Sequence, residues 1–222
     1  MKINLQLLCR FLILALIVPG FAHAQTPNTI RFRWAFGALE GPRDNPRLIS
    51  IRQDTPLRTG DRIKFMVELQ QPSFVYLLHH DPRNEISLLF PADLRQTVRT
   101  GQRQYVPAGD DWLQFDETPG RETFYLLASV QRLTSIESII NRYNNSAPAG
   151  RTAISSEIVA EIRRLRDQNR NFSAQAERPV SIGGNVRGID EAPAGRLPDV
   201  ATIALEIAAG QFYARTFTIE HR

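Results

Sequence analysis

The stretch that decides the fold, Phe74–Leu133, reads FVYLLHHDPRNEISLLFP at residues 74–91 and YVPAGDDWLQFDETPGRETFYLLASVQRL at residues 105–133. Dense aliphatic and aromatic runs alternate here with turn residues, a pattern typical of β-strands joined by short reversals. Phe74–Leu78 is continuously apolar, which predicts a central strand covered on both faces. Asp81-Pro82-Arg83-Asn84 places Asp and Pro in the first two positions of a β-turn, so we expect a hairpin to Glu85–Phe90.

Strands are predicted on both sides of this stretch. The clearest alternation is Arg62–Leu69, whose odd-numbered apolar residues should face the core while Arg62, Lys64, Met66 and Glu68 should not. The other predicted strands are Ile30–Phe36, Leu48–Ile51, Arg103–Val106, Trp112–Phe115, Thr123–Ala128, Pro179–Ile182, Val186–Ile189, Thr202–Ile207 and Phe212–Ile219. Asp116–Gly120 and Ala209-Gly210 are typical of tight turns, and Glu191–Pro198 is predicted to be an exposed loop.

Two helices interrupt the β pattern. The first should begin at Thr134, with Glu137 completing a capping box, and end at Asn144 and Asn145. Ser155 or Ser156 should cap the second, which fades out near Asn169–Phe172 and whose core-facing stripe is Ile158, Ile162 and Leu165. The predicted fold class is mainly β: a sandwich-like, mostly antiparallel arrangement with two helices inserted between the central and C-terminal strands.

Residues 1–24 have the pattern of an export signal. Lys2 and Arg10 supply positive charge, Phe11–Val18 is apolar but too short to span a bilayer, and Ala22-His23-Ala24 is a small-x-small cleavage site. The expected mature chain, residues 25–222, contains no cysteine and should form a single β-rich domain without a transmembrane segment. We therefore expect the protein in the periplasm or at the cell surface, after cleavage near Ala24.

The charge of the mature chain is nearly balanced. Without Lys2 and Arg10, 25 basic residues stand against 23 acidic ones, so composition gives no reason to expect nucleic acid as a partner. Lys64 is the only lysine after residue 24, and all other basic residues are arginines. This bias fits either bidentate recognition of anions or a GC-rich genome, and the scatter of the arginines favours the second.

The central motifs resemble the bacterial secreted family of domains of unknown function called DUF4384. The residues that carry the resemblance are Leu57-x-Thr59-Gly60-Asp61, Phe74–Leu78, Leu88-Leu89-Phe90-Pro91, Val106-Pro107, Phe115-Asp116-x-x-Pro119-Gly120-x-Glu122 and Leu126–Ser129. Arg121 departs from the small residue expected in its turn. The resemblance implies a secreted β-rich domain of the kind found in envelope proteins, and it implies no recognised active site.

His79-His80-Asp81 is the most tempting chemical cluster, because histidines and a carboxylate can bind zinc or act as a general base. Adjacent strand residues point to opposite faces, so the two histidines should not converge. His221 lies in the last residues, where fraying is expected. The acidic residues from Asp110 to Glu122 lack the spacing of a calcium loop, and Ser129 lacks the glycines of a nucleophile elbow. We therefore predict no catalytic residue, metal or cofactor.

The candidate interaction residues are Tyr105 and Trp112 in one loop, and Arg163, Arg166 and Arg170 on one side of the second helix. The preferred interpretation is an exported non-catalytic interaction or structural module of the bacterial cell envelope, with an envelope protein or cell-wall component as partner. One alternative is an envelope hydrolase or metal-dependent enzyme using His79, His80, Asp81 and Glu122. Another is a peptidoglycan or glycan-binding module using Trp112 and Tyr105.

Overall fold

The computed structural model describes residues 29–42, 45–52, 54–115, 118–170, 176–179 and 197–222. Several sequence predictions fall outside these ranges: the export signal, the strand Val186–Ile189, the strand residues after Pro179, Phe172, two residues of the turn Asp116–Gly120, and most of the loop Glu191–Pro198. These remain predictions.

Twelve strands and two helices are described. The strands are β1 (Ile30–Glu40), β2 (Arg47–Ser50), β3 (Thr55–Leu57), β4 (Arg62–Leu69), β5 (Phe74–His80), β6 (Ile86–Phe90), β7 (Arg103–Val106), β8 (Leu113–Gln114), β9 (Gly120–Ser129), β10 (Ala176–Pro179), β11 (Leu205–Ala209) and β12 (Phe212–His221). The helices are α1 (Thr134–Asn144) and α2 (Pro148–Gln168), and a 3-10 turn covers Val200–Ile203.

The strands form two sheets. Sheet A has the order β10-β11-β1-β4-β7, with β2 also paired to β1 and β8 to β4, and sheet B has the order β3-β12-β9-β5-β6. Every described pairing is antiparallel except that of β3 with β12. The mainly β, mostly antiparallel class is therefore confirmed, with α1 and α2 between β9 and β10.

The two sheets face each other across one apolar core, in which Phe36 stacks on Phe65 with ring centroids 3.8 Å apart. A second cluster joins the outer face of sheet B to both helices, through residues such as Tyr76, Leu78, Ile140 and Ile162. Sheet B is thus covered on both faces, which confirms the prediction that Phe74–Leu78 is a central, doubly buried strand. None of the described helices is long and apolar enough to cross a membrane.

The prediction for the second face of β4 is wrong. Lys64 is 5% exposed, Met66 1% and Glu68 9%, although all three were expected to point away from the core. The 3-10 turn, Tyr105 and Trp112 cover this outer face of sheet A and form a third apolar cluster with Ala35 and Met66. The alternation of apolar and polar residues along β4 therefore identified the face that packs in the main core, but it did not show that other parts of the chain bury the second face.

α1 begins at Thr134 as predicted, but its predicted capping box is absent and α2 begins earlier than expected. α1 has Leu133 as its N-cap residue with no side-chain cap, and Glu137 is buried and bonded to other partners. α2 begins at Pro148, whose fixed φ and missing N–H suit the first helical turn. Ser155 therefore lies inside the helix, fully buried, and Ser156 donates to the carbonyl of Thr152 instead of capping.

Two predicted turns are crossovers between sheets. The next strand after β8 of sheet A is β9 of sheet B, and Ala209-Gly210 leads from β11 in sheet A to β12 in sheet B. The strand expected at Thr202 begins later, because Asp199 accepts a hydrogen bond from the Ala201 N–H and caps the 3-10 turn that precedes β11. Turn residues alone do not show whether a segment joins two strands of the same sheet or strands of the two different sheets.

Candidate functional site

The histidine–carboxylate pair His79–Glu122 lies in a cleft between the two sheets. His79 is on β5 and Glu122 on β9, and the imidazole Nε2 lies 2.5 Å from a carboxylate oxygen of Glu122. The glutamate side chain is 7% exposed and the histidine side chain 24%. A buried carboxylate thus holds a ring that remains open to solvent.

Strand register brings this pair together. β5 and β9 are antiparallel, with His79 opposite Phe124. Glu122 is two residues from Phe124 on β9, so its side chain and that of His79 lie on the same face of sheet B, the face that carries Val75 and Leu77. The imidazole stacks on the Phe124 ring with centroids 4.6 Å apart and planes 19° apart. Ring stacking and the bond to Glu122 together fix the orientation of His79.

His80 points to the other face of β5, as side-chain alternation predicts. Its Nε2 lies 2.6 Å from the Oδ1 of Asn84, a residue held at a φ of +66° in the turn after β5. The two histidines therefore do not converge. Within the described ranges, no three residues of the types His, Cys, Asp and Glu are grouped so that they could hold a metal ion.

The expectation that His221 frays is wrong. It is 3% exposed and ends β12, with Nε2 3.0 Å from the Thr59 hydroxyl and Nδ1 2.9 Å from the Thr118 carbonyl oxygen. Its ring also lies against Phe115, with centroids 5.0 Å apart. His221 therefore ties the end of the chain to the loop that borders the cleft.

The cleft has a volume of ≈ 210 Å³ and receives side chains from both sheets. Ile63, Leu113 and Phe115 come from the sheet A side, whereas Leu89, Phe124 and the His79–Glu122 pair come from sheet B. Asp81, Arg83, Gln114 and Thr118 add polar groups to the wall. The arrangement can hold an apolar group against walls of Leu, Ile and Phe while hydrogen-bonding it through the imidazole or carboxylate.

Tyr105 and Trp112 lie on the outer face of sheet A around Lys64. The Lys64 Nζ donates to the carbonyls of Gly109 and Asp111 at 2.6 and 2.7 Å, and it lies 5.4 Å from the centre of the Tyr105 ring and 5.7 Å from that of Trp112. Burial lowers the pKa of Lys64, while nearby aspartates partly oppose this effect. Lys64, the only lysine after residue 24, therefore holds the loop between Tyr105 and Trp112 in place.

The three predicted arginines come together on the other side of the sandwich. Arg163, Arg166 and Arg170 line a depression of ≈ 440 Å³ with Phe212 and Ala214 of β12. The aromatic pair lies instead with the outer face of sheet A. The five candidate interaction residues therefore form two separate surfaces.

Sequence reasoning named His79 and Glu122 among the residues to test in an enzyme, but it did not place them in contact. It missed Leu113, Gln114 and Phe124 as cleft residues, because each was interpreted only as part of a strand. No local signal could have identified them, since the contact depends on the pairing of strands from different parts of the chain.

Residues 56–132 match the model of the family described as Domain of unknown function (DUF4384). This match confirms the resemblance based on the central motifs. The matched range extends from β3 to just beyond β9, so it contains both His79 and Glu122 but not the α2 arginines. No curated protein and no solved structure was found to match the chain.

Proposed function

We propose that the protein is an exported, non-catalytic recognition module of the bacterial cell envelope, which binds a side chain of an envelope protein in the His79–Glu122 cleft. The cleft is the observation that carries this proposal. Its walls are mainly apolar and its polar groups are few and oriented, which is the general character of ligand sites. The site lies within the range that matches the family.

The size and chemistry of the cleft favour one inserted side chain. Its ≈ 210 Å³ is smaller than the roughly 300–1,000 Å³ typical of pockets for whole small molecules. The Glu122 carboxylate is an acceptor only, so the inserted group should carry a hydrogen-bond donor at its end. A tyrosine, tryptophan or arginine of the partner combines such a donor with apolar surface.

Export is supported by the sequence of residues 1–24, and a chain without cysteine after residue 24 tolerates an oxidising compartment. Fractionation of cells that produce the chain should recover it outside the cytoplasm with Gln25 at its N-terminus. Recovery in the cytoplasm with residues 1–24 still attached would contradict this part of the proposal.

A matched pair of variants tests the recognition site. Gln114 is exposed and borders the cleft, so Gln114→Trp should obstruct it without disturbing the core. Gln102→Trp adds the same bulk at another exposed glutamine. When each chain is used to capture proteins from a detergent-solubilised envelope fraction, wild type and Gln102→Trp should retain a common partner that Gln114→Trp loses. Equal capture by all three would refute the cleft as the binding site.

Hydrolysis is a second candidate, favoured by the geometry of the same pair. A carboxylate that orients an imidazole is the arrangement of a general base, and the Nδ1 of His79 has no hydrogen-bond partner in the ranges that the structure describes. Ser87 of β6 lies directly opposite His79 in the register of β5 and β6. Turnover of ester, peptide or glycan substrates that His79→Ala and Ser87→Ala each abolish would establish this candidate over recognition.

The glycan-binding alternative has less support. The Tyr105 hydroxyl already donates to the Asp199 carboxylate at 3.1 Å, and the Tyr105 and Trp112 rings flank the Lys64 ammonium group. These contacts use aromatic surface that a sugar would otherwise stack on. Sedimentation with isolated cell wall that Trp112→Ala abolishes would support glycan binding instead.

A further inference from the structure

The arginines of α2 differ in whether they have a partner. Within α2, Arg164 binds Glu161 and Arg151 lies over the Tyr143 ring at 5.6 Å. Arg170, two residues beyond the end of the helix, lies 2.9 Å from Asp167. Arg163 and Arg166 form no ion pair within the part of the chain that the structure describes. The one hydrogen bond found for Arg166 there is a long contact of 3.5 Å with the Thr216 hydroxyl.

Arg163 and Arg166 lie one turn apart, and both line the depression beside β12. Each guanidinium has five N–H donors, so the two side chains present many unused donors and two full charges. Arg170 adds a third positive charge, which its ion pair with Asp167 offsets, and Asp167 is the one acidic residue among the described residues of the wall. The wall is therefore positively charged and rich in donors.

The depression is large enough for a ligand. Its ≈ 440 Å³ falls within the range of about 300–1,000 Å³ common for ligand sites. Tyr125 of β9 lies close to both arginines, and they partly oppose the rise in its pKa that burial causes.

The end of α2 weakens this positive field only in part. Carbonyls in the last turn of a helix carry partial negative charge, which repels anions. The carbonyl of Leu165 accepts from both the backbone N–H and the side-chain Nδ2 of Asn169, at 3.2 and 2.7 Å. That carbonyl is therefore occupied, and the guanidinium groups supply the dominant charge at the depression.

We propose that the depression lined by Arg163, Arg166 and Arg170 binds a phosphoryl group. The planar guanidinium fork matches two oxygens of a phosphate, and two such forks one helical turn apart can contact one phosphate from two sides. The phosphoryl group comes either from a soluble phosphate or from the headgroup of an anionic lipid. This site is separate from the His79–Glu122 cleft and does not depend on the function proposed for it.

Calorimetric titration of the purified chain with inorganic phosphate tests the shared chemistry. The double variant Arg163→Gln/Arg166→Gln should bind phosphate at least about tenfold more weakly, because two charge-assisted contacts are lost. Arg164→Gln is the matched control, since Arg164 is on the same helix but pairs with Glu161 outside the depression. Its affinity should stay within about twofold of wild type.

Sedimentation with vesicles distinguishes the two sources. Vesicles of equal parts phosphatidylcholine and phosphatidylglycerol should retain the chain if the source is a lipid headgroup, and vesicles of phosphatidylcholine alone should not. Binding to inorganic phosphate without vesicle retention assigns the site to a soluble phosphate. The proposal is overturned if neither probe binds, if the double variant binds as wild type does, or if Arg164→Gln loses as much affinity. Gln114→Trp should bind phosphate normally, which separates this result from any failure of the cleft.

Discussion

Replacing Tyr76 by Phe removes one buried oxygen that links sheet B to the start of α1. The Tyr76 hydroxyl donates to a carboxylate oxygen of Glu137 at 2.5 Å and accepts from the backbone N–H of Leu133 at 3.2 Å. Tyr76 is 2% exposed and Glu137 8%, so water cannot readily replace the lost bonds. Arg132 remains 2.8 Å from the other carboxylate oxygen of Glu137 and limits the damage.

The expected loss follows from these contacts. A hydrogen bond to a charged group contributes about 1.5–3 kcal/mol, and a buried N–H without a partner costs about 1–3 kcal/mol. Since Arg132 compensates part of the first contribution, we expect Tyr76→Phe to lower the free energy of unfolding by about 2–4 kcal/mol. The ring is kept, so no cavity contributes to this loss.

Urea unfolding followed by tryptophan fluorescence measures this loss, provided that the m-value is unchanged. Tyr125→Phe is the matched control, because Tyr125 lies on the same sheet, its hydroxyl has no hydrogen bond within the described part of the chain, and the residue is only half buried. It should change the free energy of unfolding by less than about 0.5 kcal/mol. A Tyr76→Phe protein as stable as wild type, or an equal loss from Tyr125→Phe, would refute this account of how α1 docks.

Three further predictions concern stability. Burial and the bond to Glu137 raise the pKa of Tyr76 above its ordinary value of 10.0, so the folded state keeps this proton longer and stability should fall as pH rises past 10. In urea unfolding measured at a series of alkaline pH values, Tyr76→Phe should reduce the loss of unfolding free energy by up to about 1.4 kcal/mol per pH unit. If the variant loses stability with pH as steeply as wild type, Tyr76 is not the group responsible. Ser155→Ala should raise the free energy of unfolding by about 1 kcal/mol in urea unfolding, because the Ser155 hydroxyl is buried without a partner in the described structure. Ser156 is exposed on the same helix, so Ser156→Ala should have little effect. A Ser155→Ala protein less stable than wild type would contradict this prediction. Gly120→Ala should lower the melting temperature through a loss of about 2 kcal/mol or more, because Gly120 has a φ of +152° and an added Cβ would lie 2.6 Å from Pro82; an unchanged melting temperature would contradict this.

Local periodicity explains which parts of the fold could be predicted. β4 begins and ends at the predicted residues, and β5, β6 and β9 lie close to theirs, because alternation or a continuous apolar run is visible within one strand. The start of α2 was misplaced because serines are common N-cap residues, whereas Pro148 begins the helix without any side-chain cap. The burial of Lys64 was missed because its cover comes from distant loops.

The candidate site depends even more on contacts between distant residues. Alternation correctly predicted that His79 and His80 point apart, which needs only one strand. The contact of His79 with Glu122 needs the register of β5 against β9, 43 residues away. Helical spacing placed Arg163 and Arg166 on one side of the second helix, but Arg170 lies beyond the end of α2, and the depression that the three arginines line needs β12 beside it. Chemistry within one element can be predicted from the sequence, and chemistry between elements requires the topology.

Photocrosslinking from β6 tests most directly whether the His79–Glu122 cleft is a recognition site. Leu88 and Leu89 are adjacent and both half-buried, but Leu89 lines the cleft whereas Leu88 packs with the helix-side cluster. A diazirine side chain placed at position 89 in producing cells should form an adduct with an envelope protein, and this adduct should disappear in Gln114→Trp. The same group at position 88 should not form that adduct. No adduct from position 89, or the same adduct from both positions, would contradict the proposed function.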